Sequence, residues 1–143
     1  MFDWKNSLYI PKYYGLQKFG EPDVNKLLDG VDINLKFNGS LRDNQVKPVE
    51  RFLEASKEPL KMGGLINLSC AAGKTVMSLY IVSKLAKKTL VVVHKDFLLK
   101  QWKERIEQFL PDARVGLLKA KTIDIEDKDI VMASLQSLSM KQY

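Results

Sequence analysis

The sequence predicts an α/β domain built on a parallel sheet, and three stretches carry that expectation. Gly64–Lys88, GLINLSCAAGKTVMSLYIVSKLAKK, opens with the short apolar run Leu65-Ile66-Asn67-Leu68, the length of a buried strand. Its later apolar positions Val76, Leu79, Tyr80, Val82 and Leu85 recur at spacings of three and four, one face of a helix. Thr89-Leu90-Val91-Val92-Val93 is a β-branched run without alternation, the pattern of a parallel strand covered on both faces. After a second helical stripe, Arg114–Leu118 and Asp129-Ile130-Val131-Met132 read as two more short strands. Strands alternating with helices imply right-handed βαβ units and a three-layer arrangement.

Along the chain, residues 1–40 read as an accessory segment and residues 41–143 as the α/β domain. Tyr9-Ile10-Pro11-Lys12-Tyr13-Tyr14-Gly15 is aromatic, basic and broken by proline, which predicts extended chain and a turn. Such a cluster can stack on a nucleic acid strand, but it is read here as edge packing with solvated lysines. Gly20-Glu21-Pro22-Asp23 predicts a second turn. Asp32–Phe37 alternates polar with apolar like a half-buried strand and runs into the turn signal Asn38-Gly39. Leu41–Lys57 predicts a helix with Val46, Val49, Phe52 and Leu53 on its apolar face, Ser40, Asp43 or Asn44 as cap, and Pro48 in its first turn. After Val93, Asp96 predicts a cap for a helix carrying Phe97, Leu98, Trp102, Ile106 and Phe109, closed by Pro111. Arg114–Leu118 predicts a strand. The acids Asp124, Glu126, Asp127 and Asp129 precede the last strand and read as a solvated loop.

Between the first strand and helix stand Ser69, Cys70, Ala71 and Ala72, followed by Gly73-Lys74-Thr75. Strand, loop of small residues, Gly-Lys-Thr, helix is the layout of a phosphate-binding loop. Unpaired N–H groups at a helix start, with the positive end of the helix dipole, can wrap a polyphosphate that small side chains let approach. Lys74 is placed to reach the β- and γ-phosphates, and the Thr75 hydroxyl to ligate the magnesium ion that accompanies them. The strict pattern G-x-x-x-x-G-K-[ST] fails at its first position, where Leu68 stands.

Composition narrows the class. The 143 residues are 45% hydrophobic and 28% charged, as in a globular domain and unlike a disordered chain. No apolar run reaches the length of a membrane span, and the N-terminus lacks a signal-peptide core. A single cysteine, Cys70, excludes an internal disulfide and fits a reducing intracellular setting. With the lone His94 it cannot build a zinc site. The net charge of +6 fits a polyanionic partner and equally a basic domain without one.

Four segments in order resemble a superfamily 2 helicase or translocase of the DEAD/DEAH-like group, closest to those of large DNA viruses and their transcription and repair relatives. Leu41-Arg42-Asp43-Asn44-Gln45 resembles the segment ahead of the phosphate loop, which implies adenine recognition by Arg42 and Gln45. Leu68-Ser69-Cys70-Ala71-Ala72-Gly73-Lys74-Thr75 resembles motif I, where the first glycine is commonly absent and glycine often stands at the place of Ala71. Val91–Trp102 resembles motif Ia, implying nucleic acid contacts by His94 and Lys95, with Trp102 in the core. Met132-Ala133-Ser134-Leu135-Gln136-Ser137-Leu138 resembles motif Ic, implying Ser134 and Gln136 on the same path.

The resemblance implies a partial RecA-like P-loop domain that binds ATP and Mg2+. Its implied partners are nucleic acid, DNA ahead of RNA, and the remainder of a helicase with its acidic box and second RecA-like domain. It implies an intracellular protein, with viral origin and packaging in a virion within its range. Basic His94-Lys95 stands where a magnesium-holding acid would follow a strand, so ATP binding without hydrolysis is expected of this chain alone. A different P-loop enzyme such as a small kinase, and a non-catalytic basic nucleic-acid-binding module, are the competing readings.

Overall fold

The computed structural model describes residues 2–4, 7–58 and 62–140. At the N-terminus, β1 (Phe2–Trp4) and β2 (Ser7–Tyr9) pair antiparallel. Helix α1 (Lys12–Phe19) follows directly, where sequence predicted extended chain and a turn. Pro11 explains the difference. It stays extended at φ −56°, ψ 134° and launches the helix rather than breaking it, and Gly20 at φ +81° ends it.

The alternation of Asp32–Phe37 is realised in burial but not in pairing. Ile33 and Leu35 are buried while Asp32, Asn34 and Lys36 are exposed, yet only Asp32 bridges, to Lys87. The expected strand is therefore an extended strap. Its hydrogen bonds go to the end of a helix and the link beyond it, Ile33 N–H to the Ala86 carbonyl at 2.9 Å and Lys88 N–H to the Val31 carbonyl at 2.7 Å. The strap is anchored by Phe37, stacked on Phe109 at 5.4 Å and edge-on to Tyr80 at 5.2 Å.

Helix α2 spans Asp43–Lys57, and its cap is none of the three residues expected. Arg42 occupies the N-cap position. Its N–H donates to Gln45 Oε1 at 3.0 Å, while the Gln45 N–H donates to the Arg42 carbonyl at 2.8 Å. Pro48 is the sixth helical residue, one turn deeper than sequence placed it.

Helix α3 spans Lys74–Leu85 and buries two faces, not the single stripe expected. Leu79 and Val82 join the core beneath the sheet, with Ile33, Leu35, Leu99, Ile106 and Leu110. Met77 and Ile81 face α2, packing on Val49. Strand β3 (Thr89–Val93) and helix α4 (Asp96–Phe109) follow. Asp96 is the first helical residue of α4, not its cap; Lys95 holds that position.

A hairpin of β4 (Val115–Lys119) and β5 (Thr122–Asp124) precedes β6 (Ile130–Ser134) and the short α5 (Leu135–Met140). The sheet order is β3-β6-β4-β5, with β3, β6 and β4 parallel and β5 an antiparallel edge. All five residues of central β6 are buried. On β3 only alternate residues are: Val91 and Val93 face the helices, while Leu90 and Val92 are open. The expectation that β3 is covered on both faces thus fails, because β3 lies at the edge of the sheet; β6, expected only as a short strand, is the one covered on both faces.

The Leu65–Leu68 segment is not a strand. It runs extended beside α2 with no ladder partner among the described residues, and Leu65 is 92% exposed. A strand exists only where a neighbour supplies the other half of its hydrogen bonds, so an apolar run alone cannot make one. No described helix is long and apolar enough to cross a membrane.

One acid of the expected solvated loop is buried. The guanidinium of Arg114 grips Asp129 with bonds of 3.0 and 2.7 Å, and the Arg114 backbone N–H adds a third at 2.8 Å. These donors hold the Asp129 carboxyl below the usual carboxylate range, against the opposing effect of burial. A depressed folded-state pKa stabilises the fold above the unfolded value of about 4 and loses that contribution as pH falls through the folded one. Asp129→Asn should therefore lower stability at pH 7 by about 1–2 kcal/mol and flatten the loss of stability below about pH 4. Urea midpoints from pH 7 to pH 3 check this, and equal acid sensitivity in both proteins would contradict it.

Candidate nucleotide loop and nucleic-acid edge

The loop from Ser69 to Gly73 is shaped by two left-handed residues, Ala71 at φ +63° and Gly73 at φ +80°. The second can only be glycine at low cost, because a methyl there would also collide with the amide nitrogen of Gln45. Gln45 is buried, and its Nε2 donates to the Ala72 carbonyl at 2.9 Å. With Oε1 already bonded to Arg42, the amide ties the first turn of α2 to the loop. Sequence placed Gln45 as a base-reading residue; here both ends of its amide are engaged by the protein. No sequence signal marked this bridge, since it joins residues 27 apart.

Past Gly73 the chain enters α3, and the Met77 N–H donates to the Gly73 carbonyl at 3.1 Å. The Lys74 ammonium folds back to donate to the Leu68 and Ser69 carbonyls, both at 2.9 Å. Thr75 is half-buried in the first turn, and Cys70 is exposed on the loop. An arch of small residues, free N–H groups at the start of a twelve-residue helix, an ammonium and a hydroxyl form a donor set that fits a magnesium-bound polyphosphate. Among the described residues no group of three His, Cys, Asp or Glu side chains could hold a metal ion by itself. Thr75 would thus be one ligand to an ion carried in by the phosphates.

Connectivity brings the other expected residues to the same end of the domain. Helix α3 delivers the chain to the first residue of β3 through Lys87 and Lys88, so its Lys74 end lies toward the strands' carboxyl ends. There β3 gives way to exposed His94 and Lys95. The register Val93 to Ser134 sets β6 beside it, followed by exposed Gln136 on α5. Lys119 ends β4 and bonds Asp96 of α4 at 2.9 Å. Ser134 is buried; its Oγ bonds Ser137 Oγ at 2.9 Å and accepts the Ser137 N–H at 3.2 Å, starting α5. Of the pair expected on this path, Gln136 has the open side chain.

Charge divides along the strands. At the amino-terminal ends Asp124, Glu126, Asp127 and Asp129 are matched by Lys87, Lys88, Arg114 and Lys128, with Arg114 paired to Asp129 and Lys128 to Asp124. At the carboxyl ends lie His94, Lys95, Lys119 and Lys121 against the single acid Asp96. In open parallel sheets, ligands sit outside the carboxyl ends, and this is the cationic end.

Comparisons with known proteins agree with this layout. A family model described as "Type III restriction enzyme, res subunit" matches residues 38–143. A protein of Acanthamoeba polyphaga mimivirus, provisionally named an ATP-dependent RNA helicase, is 33% identical over 140 residues, covering 96% of this chain and 26% of that protein. The DNA 3'-5' translocase XPB2 of Sulfurisphaera tokodaii is 37% identical over 102 residues, 71% of this chain and 21% of the relative. The SWI2/SNF2 ATPase core domain of Sulfolobus solfataricus superposes with a TM-score of 0.59 at 23% identity, over 84% of this chain and 25% of that one, which establishes the shared RecA-like fold. This chain spans about a quarter of the length of these relatives. It belongs to the Type III restriction enzyme res-subunit family and is a superfamily 2 helicase-type sequence.

Proposed function

We propose that the chain provides the ATP-binding loop, and part of the nucleic acid track, of an ATP-driven helicase or translocase. The observation that carries this reading is the loop itself: left-handed Gly73 fitted against Gln45, with Lys74 arched over the Leu68 and Ser69 carbonyls at the start of α3. ATP supplies the phosphoanhydride bond whose cleavage powers movement, with magnesium bound to its phosphates.

On this reading the N–H groups of the first α3 turn and the Lys74 ammonium hold the phosphates, and Thr75 orients the metal. Lys74 exchanges its two carbonyl acceptors for phosphate oxygens, which bear more charge. Arg42 and Gln45 border the loop on the side where a base would lie. The four acids gather at the opposite ends of the strands, and the acid of this edge, Asp96, is paired with Lys119 instead of being set to position an attacking water. The chain alone therefore binds ATP without turning it over. His94, Lys95 and Gln136 contact the nucleic acid backbone, with DNA preferred to RNA.

Titration with a fluorescent ATP analogue in magnesium tests the reading. Lys74→Ala should weaken binding about 10- to 100-fold, the loss expected for charge-assisted hydrogen bonds. Equal binding by both proteins would sink the nucleotide reading and leave the cationic edge as the functional part. Measurable ATP turnover abolished by Lys74→Ala would overturn the claim of binding without hydrolysis.

A further inference from the structure

Large apolar side chains are normally withdrawn from a cationic surface, but Phe97 is not. Phe97 is 69% exposed in the first turn of α4, although the stripe it belongs to in sequence would bury it. The core side of α4 is filled instead by Leu99, Ile106 and Leu110, with Leu98, Trp102 and Phe109 packed at its margin. Among the described residues the Phe97 ring joins none of the core clusters. It stands two residues from Lys95 and three from His94 and Lys100, all exposed. The Lys119 to Asp96 ion pair holds the residue just before it and neutralises the only acid nearby. On the neighbouring strand end, Leu135 is 52% exposed beside Gln136. The carboxyl edge of the sheet thus presents an exposed aromatic side chain flanked along the chain by exposed Lys95 and Lys100.

An exposed aromatic among lysines is the chemistry that binds single strands: cations follow the backbone and the ring stacks a base, whichever base it is. A duplex keeps its bases stacked on each other and offers such a ring nothing. We propose that Phe97 is a base-stacking residue that makes this edge select single-stranded over double-stranded nucleic acid. The inference rests on the reading that the edge holds a nucleic acid backbone, and goes beyond it by naming strandedness and the residue responsible.

Fluorescence anisotropy with the intact chain separates the two. The probes are a labelled oligothymidylate, an abasic strand of equal length and charge, and a duplex. Lys95→Ala should weaken all three and reduce the salt slope by about one. Phe97→Ala should weaken the oligothymidylate about tenfold while leaving the abasic strand and duplex unchanged, and Phe97→Trp should restore it. Because the ring is exposed, these variants should unfold at the wild-type urea midpoint.

If Lys95→Ala changes nothing at any salt concentration, the backbone reading itself fails. If Lys95→Ala acts but Phe97→Ala changes the abasic strand as much as the oligothymidylate, or changes neither, the stacking inference fails. Loss of self-association in Phe97→Ala without loss of strand binding would assign the ring to a protein contact and overturn the inference as well.

Discussion

Replacement of Gly116 by alanine is expected to detach β5 from the sheet and to cost about 3 kcal/mol. Gly116 is buried in β4, between β6 on one side and the β5 strand on the other. A methyl built there collides with the backbone carbonyl oxygen of Asp124 and stands 2.8 Å from Lys128 Cγ. A glycine inside a strand marks such an approach of another backbone. Neither neighbour can yield cheaply. Moving toward β6 disturbs the register of Gly116 against Val131 in the buried centre of the sheet. Moving away lifts β5, whose three exposed residues are held by pairing with β4 and by the Lys128 to Asp124 ion pair. Overpacking of a closed site typically costs about 1–3 kcal/mol, and loss of the edge ladder adds to it. Hydrogen exchange should show the loss of protection concentrated at Thr122–Asp124. Unchanged protection there, with an unchanged urea midpoint, would mean that the two backbones do not meet as described.

The second large effect belongs to Gly73→Ala. Left-handed backbone costs an alanine about 1–2 kcal/mol, and the new methyl must also push the Gln45 amide off the Ala72 carbonyl. Gln45 is buried, so its displaced nitrogen would lack a partner at a further cost of about 1–3 kcal/mol. The sum is about 2–5 kcal/mol. A double-mutant cycle divides it. With Gln45→Ala already in place the collision is gone, and Gly73→Ala should then cost only the backbone strain. Strictly additive midpoints for the single and double variants would show that the amide and the loop are not coupled.

Most elements of the domain were legible in sequence where a pattern was long or repeated. Helices α2, α3 and α4 lie close to where periodicity set them, although their buried faces are shifted from the expected stripes, and the β-branched runs became β3 and β6. The misses share a cause: they depend on partners distant in sequence. Leu65–Leu68 has strand composition but no neighbour, and Asp32–Phe37 has strand alternation but meets a helix end. Asp129 looked like one more acid in a solvated run until Arg114, fifteen residues upstream, was found to enclose it. The site divides in the same way. Gly73, Lys74 and Thr75 are local chemistry readable from a tripeptide, whereas the Gln45 bridge and the hydroxyl of Ser134 take their roles from contacts. Phe97 fitted the apolar stripe by spacing, and only burial showed that it sits on the rim of the helix.

The hydroxyl chain at the end of β6 ties two remote parts of the cationic edge into one mechanical unit. Ser134 Oγ bonds Ser137 Oγ, which in turn accepts the Ala120 N–H at 2.9 Å, so α5 is fastened to the turn joining β4 and β5. A pull on α5 is thereby transmitted to Lys119 and Lys121, and through the Lys119 to Asp96 pair to the start of α4. Gln136, Lys121 and Phe97 thus sit on elements joined to one another by these bonds.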